Sequence, residues 1–318
     1  MAGTADRHVD VSIVVPVYRS EAILPHLAAK IADAFAALPW SYELILVNDV
    51  SPDQSWEVIV DLASRSPAIR GLCLTKNVGQ HNATMAGLSA VRGDVVVIMD
   101  DDLQHPPDAI ARLIESVRSG ADVCYTRYAN RQHEAWKKIG SRFNDRIATI
   151  LLKKPPGLYL SSFKALRRSI VDQVVKYDGP YAYVDGLILD ITRRIDVVTI
   201  EHQARFSGEG NYNLRQSISL WLKMATSFSV FPLRVATILG MLLTAVSVLG
   251  IVLIVSLKLM HPSLATGWAS LIVTVLFVGG IQTFCLGMLG EYLGRAYLKI
   301  NKKPQYVIRE ATPTPPST

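Results

Sequence analysis

The 318-residue chain has only three cysteines, Cys73, Cys124 and Cys285, without the spacing of a disulfide framework or a zinc site. That scarcity suits a reducing compartment and excludes a cysteine-held metal centre. No glycine-rich phosphate loop occurs, so neither a Walker nucleotidase nor a GxGxxG dinucleotide fold is supported. No internal repeat occurs, which excludes repeat architectures. Residues 1–6 lack the apolar core of a secretory signal.

Charge is missing from two long stretches. Residues 235–257 are 23 consecutive uncharged positions and residues 262–290 are 29 more. Each exceeds the ~20 residues needed to cross the hydrocarbon of a bilayer. They account for a mean hydropathy of +0.25, high for a soluble protein. The link between them is short, so the pair predicts a transmembrane hairpin. Lys223 and Arg234 precede it and Arg295, Lys299, Lys302, Lys303 and Arg309 follow, against one Lys258 in the link. By the positive-inside rule, both ends face the cytoplasm with the large N-terminal portion. Beside two spans, the net charge of +6 points to membrane lipid or a lipid phosphate and away from nucleic acid.

Four apolar runs, 11–17, 42–48, 69–75 and 95–99, alternate with helix-period segments at 22–37, 53–64 and 80–91. A further helix is expected over 107–119 and a strand over 121–126. Such alternation predicts an α/β fold with a mostly parallel sheet covered on both faces. Sheets of this kind bind ligands beyond the carboxyl ends of their strands. Four polar clusters fall there: 16–18, 48–51, 76–77 and 100–104. Residues 135–152 mix basic and apolar side chains at helical spacing, as an interfacial helix or as an ordinary amphipathic helix packed on the sheet. Residues 213–231 read as interfacial, and 312–318 as a disordered tail.

At the end of the fourth run stand Asp100, Asp101 and Asp102. Three adjacent carboxylates repel one another, and burying them unpaired costs several kcal/mol. A divalent cation resolves the repulsion, and oxygen donors at alternate positions suit Mg²⁺ or Mn²⁺ holding phosphate oxygens. The other reading is a solvated acidic turn.

These residues, together with Val14 to Tyr18, Asn48-Asp49, Lys76 to His81, Met99 to Pro107 and Arg205 to Tyr212, resemble family 2 glycosyltransferases. More narrowly they are similar to the polyprenyl-phosphate glycosyltransferases, which include dolichol-phosphate mannose synthase and the bacterial undecaprenyl-phosphate glucosyl and formamidoarabinose transferases. The resemblance spans about 11–306. It implies a GT-A fold, a nucleotide-sugar donor, a divalent metal and inversion at the anomeric carbon. On this pattern Asp100, Asp102 and Gln104 are the metal candidates. Pro16, Tyr18, Glu21, Asp49 and Lys76 are the nucleotide contacts, with Asp100 and Asp101 toward ribose or sugar. For Asp101 an exposed turn position stays open, and for Asp49 an Asx-turn or a helix cap near residue 53. Family members usually carry Asp-Asp-Gly-Ser where this chain has Asn48-Asp49-Val50-Ser51. The change removes a residue that adopts left-handed backbone easily.

A lipid monophosphate is already an anionic nucleophile near neutral pH, its second pKa being about 6, so no strong general base is needed. Cations that hold two anions together are needed instead. Arg127, Arg131 and Arg205 are the candidates, with Asn211 beside them; headgroup contacts or surface ion pairs are their other reading. Asn211 and Gly210 stand where many members have Lys and Ser. With Asp102, the three arginines form the expected catalytic set.

The layout expected is a cytoplasmic GT-A domain over 1–210, interfacial helices over 211–232, a hairpin over 233–294 with spans near 235–257 and 264–290, and a cytoplasmic tail over 295–318. The glycines of the spans suggest a homo-oligomer. The rival readings are a processive polysaccharide synthase, whose Gln-x-x-Arg-Trp motif and additional spans are missing here, and an inactive membrane-anchored scaffold.

Overall fold

The aliphatic runs build the middle of one sheet. In a computed structural model, which describes residues 8–106, 109–128, 149, 154–179, 182–200, 231–260, 267–301 and 303–312, β1 (Val11–Val17) is buried along its whole length. It pairs in parallel with β2 (Tyr42–Asn48) on one side and β4 (Val95–Ile98) on the other. β2 pairs in parallel with β3 (Ile69–Leu74). Strands buried on both faces need apolar residues at every position, which is why they read as unbroken runs. The helices between them are α1 (Leu24–Ala36), α2 (Ser55–Arg65) and α3 (Gln80–Leu88). The chain winds outward from β1 through β2 to β3 and then crosses to β4 on the opposite flank. The strand order reverses there, and the carboxyl ends of β1 and β4 open a crevice.

Beyond β4 the sheet is mixed. After α4 (Ile110–Arg118) and β5 (Val123–Tyr128), the chain returns as β6 (Lys164–Arg167), which inserts antiparallel between β4 and β5. Then come α5 (Arg168–Val174), α6 (Val184–Ile191) and β7 (Ile195–Ile200), the last parallel to β5. The expected strand over 121–126 is thus present two residues later. The expected helix over 107–119 is Ile110–Arg118, with residues 107 and 108 outside the described set.

Two long helices follow, α7 (Phe231–Met260) and α8 (Trp268–Ile300), of 30 and 33 residues. At 1.5 Å per residue they are about 45 and 50 Å long. Among the described residues, no helix is long and apolar enough to cross a membrane. The chain divides into two compact units, residues 1–212 with 302–318, and residues 213–301. The segments expected to be interfacial, 135–152 and 213–231, lie almost wholly outside the described residues.

The tail expected to be disordered covers 312–318, of which only residue 312 is described, and the segment just before it carries a strand. β8 (Ile308–Ala311) pairs antiparallel with β3. Thr312 is buried, its N–H bonded to Gly71 O at 3.0 Å and its hydroxyl accepting from Gly71 N–H at 2.8 Å. The Gln305 amide donates to the carbonyls of Tyr177 and Gly179, both at 2.8 Å. The physical reason is the outer edge of β3, whose backbone groups gain partners from the returning chain.

Helix α3 lies close on the sheet. A Cβ built on Gly87 would sit 2.3 Å from Val14 Cγ1 and 3.1 Å from Val47 Cγ2. Gly87→Ala is therefore expected to destabilise. Overpacking costs about 1–3 kcal/mol, against ~1 kcal/mol of helix propensity gained. A thermal midpoint in detergent equal to that of the parent would show that α3 shifts without penalty.

Candidate active site

The turns after β1, β2, β3 and β4 are joined to one another by side-chain hydrogen bonds that close a ring. Arg19 N–H donates to Ser51 Oγ at 2.7 Å, joining the first turn to the second. Asp49 accepts the Val78 and Gly79 N–H groups at 2.7 and 2.8 Å, joining the second to the third. The Gln80 amide, at the start of α3, donates to Asp100 Oδ1 at 2.6 Å, reaching the fourth. Asp101 Oδ2 accepts from Tyr18 N–H at 3.2 Å and from the Ser20 hydroxyl, returning to the first. The crevice inside this ring has a volume of about 510 Å³ and is lined by Pro16, Tyr18, Asp49, Asp100, Asp101 and Asp102, with Val17, Asn77, Gly79 and Gln80.

Each carboxylate of the triplet has its own surroundings. Burial raises the pKa of Asp100, but hydrogen bonds from His105 and Ser162 and the nearby Lys164 charge outweigh it and hold the group below the usual range. Asp101 is pushed up to about 6, chiefly by burial, with Ser20 and Tyr18 opposing. Asp102 turns back on its own loop, Oδ1 accepting from Gln104 N–H at 3.1 Å. Asp49 is also raised by burial, offset by the two amides it accepts. Behind the triplet lies a buried ion pair, Lys164 with Asp185, and the Tyr125 hydroxyl donates to the same carboxylate at 2.9 Å.

Six of the sequence-predicted residues thus line one crevice. The open choice for Asp49 resolves locally: it takes the amides of the third turn and does not cap α2. The N–H groups at the start of α2 go instead to Asp53, which accepts from Ser55 N–H at 3.2 Å, and to Glu21, which accepts from Gln54 N–H at 2.8 Å. Glu21 therefore braces the rim and does not line the crevice. Lys76 is exposed beyond the lining residues, and Gln104 is half-buried beside Asp102. Arg127 is exposed and donates to Gly157 O at 3.0 Å. Arg131, Arg205 and Asn211 lie outside the described residues.

Sequence reasoning gave no role to His105, which is 3 % exposed. Its Nε2 lies 3.2 Å from Asp100 Oδ2 and its Nδ1 lies 2.7 Å from the Tyr128 hydroxyl. The only signal was its position three residues after the triplet; Tyr128 and Ser162, its partners besides Asp100, are distant in sequence. Gln80 and Asn77 were legible only as neighbours of a strand end.

Among the described residues, three that are not glycine have left-handed backbone: Arg19 (φ 61°), Val50 (φ 53°) and Leu103 (φ 58°). Each directly follows a residue that lines the crevice. Val50 keeps the conformation that the missing glycine would have taken, which for a β-branched residue is a true outlier. Such outliers cluster where a site must be held in one shape.

The profile of glycosyl transferase family 2 matches residues 12–175. The undecaprenyl-phosphate 4-deoxy-4-formamido-L-arabinose transferase of Aeromonas hydrophila is 34% identical over 310 residues, covering 94% of this chain and 93% of that protein. The protein of the same name from Yersinia pestis is 35% identical over 306 residues, with the same coverage of each. Among solved structures, glucosyl-3-phosphoglycerate synthase from Mycobacterium tuberculosis, in complex with Mn²⁺, UDP and phosphoglyceric acid, superposes with a TM-score of 0.52. Its identity is 18%, with 69% of this chain and 76% of that one covered. Mannosyl-3-phosphoglycerate synthase from Rubrobacter xylanophilus gives 0.52 at 16% identity, covering 71% and 74%. These two likenesses show the fold: a GT-A-like α/β domain.

The strain at Val50 is measurable. A left-handed non-glycine residue costs roughly 1–2 kcal/mol, and glycine's unfolded-state entropy returns about 0.5–1 kcal/mol of that. Val50→Gly is expected to leave the thermal midpoint unchanged or raise it; a clear drop would show that the side chain's packing outweighs the strain.

Proposed function

The chain belongs to glycosyl transferase family 2, and we propose that it moves a sugar from a UDP-sugar to a polyprenyl phosphate of the undecaprenyl type, at the cytoplasmic face of the membrane. The observation that carries the reading is the meeting of Asp100, Asp101 and Asp102 with Tyr18 and Asp49 in one crevice at the point where strand order reverses. The names of relatives aligned over 94% of the chain support the acceptor.

A divalent metal fits the donor chemistry. Asp100 and Asp102 offer hard carboxylate oxygens, with Gln104 adjacent. No three His, Cys, Asp or Glu side chains among the described residues converge as a ready-made cage. Mg²⁺ and Mn²⁺ sites of one or two carboxylates completed by substrate phosphates have that composition. A structural neighbour holds Mn²⁺ with UDP. When bound, the ion acts as a Lewis acid on the departing nucleoside diphosphate.

The remaining steps fall to the chain's own residues. Tyr18, 46% exposed with Arg19 stacked on its ring, and Pro16 offer an apolar lip for the nucleobase. Asp49 keeps the third turn in place beside the ribose, and Glu21 and Lys76 complete the rim. Arg127, Arg131, Arg205 and Asn211 are assigned to the acceptor phosphate, where cations offset the repulsion between two anions. A phosphate oxygen of the acceptor attacks the anomeric carbon opposite the leaving group. The new C–O bond forms as the bond to the diphosphate breaks, UDP leaves with the electron pair, and configuration inverts in one step without a covalent intermediate.

The two uncharged stretches, 235–257 and 262–290, fall mostly on α7 and α8. We assign these helices as a membrane hairpin that holds the crevice where a buried prenyl tail presents its phosphate. Among the described residues, a Cβ built at Gly240, Gly250, Gly279, Gly280, Gly287, Gly290 or Gly294 meets no atom of a neighbouring segment within 4 Å. That leaves room for close helix contact in a homo-oligomer.

The test incubates the full chain in lipid nanodiscs with undecaprenyl phosphate, Mn²⁺ and a panel of UDP-sugars that includes the 4-deoxy-4-formamido-L-arabinose donor. Mass spectrometry should find a lipid-linked sugar and stoichiometric UDP. Asp102→Ala should cut the rate by about a hundredfold or more, and Arg205→Ala should chiefly raise the KM for lipid phosphate. Full activity in Asp102→Ala would remove the metal assignment. Transfer to a soluble acceptor in preference to the lipid would remove the function itself.

A further inference from the structure

The Asp100 carboxylate is held by three side chains, Gln80, Ser162 and His105. Oδ1 accepts from the Gln80 amide at 2.6 Å. Oδ2 accepts from the Ser162 hydroxyl at 2.6 Å and faces His105 Nε2 at 3.2 Å. A carboxylate has about two acceptor sites on each oxygen and no proton to give. Nε2 therefore carries the imidazole proton. In the neutral ring Nδ1 is then an acceptor, and the hydroxyl it meets at 2.7 Å, that of Tyr128, is its donor. Of the two neutral tautomers, only this one satisfies every contact, with the Ser162 oxygen, 3.2 Å from Nε2, able to share its proton. The ring itself is fixed by packing: it stacks on Phe163 with centroids 5.0 Å apart and on Tyr128 at 6.4 Å.

Counting sites gives an asymmetric carboxylate. Among the described residues, Oδ2 has two donors and is full, whereas Oδ1 has one and keeps one site. Gln80 lines the crevice, but His105 and Ser162 do not. The filled oxygen thus faces the protein and the other faces the crevice. We propose that His105, its tautomer set by Tyr128, is a positioning residue that turns Asp100 so that Oδ1 alone meets a divalent cation. The inference rests on the reading of Asp100 as a metal ligand. Ligand-orienting partners of this kind, one shell out from the metal, are worth about 10–100-fold in metal affinity.

The experiment measures Mn²⁺ binding directly, by the electron paramagnetic resonance signal of free Mn²⁺, on the full chain in detergent with saturating UDP and no acceptor. His105→Leu keeps apolar volume and removes the donor, and should weaken Mn²⁺ about 10–100-fold. His105→Gln carries an amide donor near the place of Nε2 and should recover most of that loss. Tyr128→Phe removes only the hydroxyl that sets the tautomer. It should weaken Mn²⁺ several-fold with its thermal midpoint close to that of the parent, and it stands if His105→Leu fails to fold. Parent-like Mn²⁺ affinity in both His105→Leu and Tyr128→Phe would overturn the inference while leaving the metal reading intact. No Mn²⁺ binding by the parent chain with UDP would overturn the metal reading itself.

Discussion

Three carboxylates follow one another at the carboxyl end of β4, and the chain must hold them there without letting their repulsion unfold the turn. It does so by giving each a different partner set. Asp100 is taken by His105, Ser162 and Gln80, and Asp101 by the turn after β1. Asp102 bonds its own following loop. The segments supplying these partners, 18–20, 80, 105 and 162, come from both flanks of β4. Accommodating one charged tripeptide therefore fixes how the turn after β1, the start of α3 and the approach to β6 meet.

The ring of hydrogen bonds follows from that requirement. Asp49 and Asp101 do the same work at opposite points of it: each spends its carboxylate on backbone or hydroxyl donors of the neighbouring turn. Both have raised pKa values because burial opposes their charge, and the ring donors partly offset that cost. The strained backbone at Arg19, Val50 and Leu103 lies on the same circuit. Turns bound on both sides can keep such conformations, whereas an isolated loop would relax. The crevice is thereby largely shaped before a ligand enters.

Much of this was legible in the residues. β1 and β2 coincide with their aliphatic runs because a strand buried on both faces admits few other compositions. The charge triplet announced a strand end for the same physical reason. β6 was not legible: it is short, begins with Lys164, and buries that charge only because Asp185, 21 residues on, neutralises it. Nothing local to residue 164 signals a strand. His105 was hidden in the same way, since Tyr128 and Ser162 lie 23 and 57 residues away. The absence of glycine at position 50 was visible, but not that valine would keep the left-handed turn; the ring enforces it. β8 was missed because four exposed residues, Ile308–Ala311, carry no alternation and gain their place from the unpaired edge of β3.

That last strand has a consequence for biosynthesis. Gly71 and Thr312 are 241 residues apart, so β3 leaves the ribosome long before the strand that covers it. At roughly 5–20 residues per second the delay is about 12–48 s. Throughout it, the nascent α/β unit carries an open sheet edge, the feature that templates mispairing between chains. Both long helices are translated within the interval. The sheet is sealed only after they have been made, so a chain that stalls or is cleaved within them leaves the α/β unit with its β3 edge open.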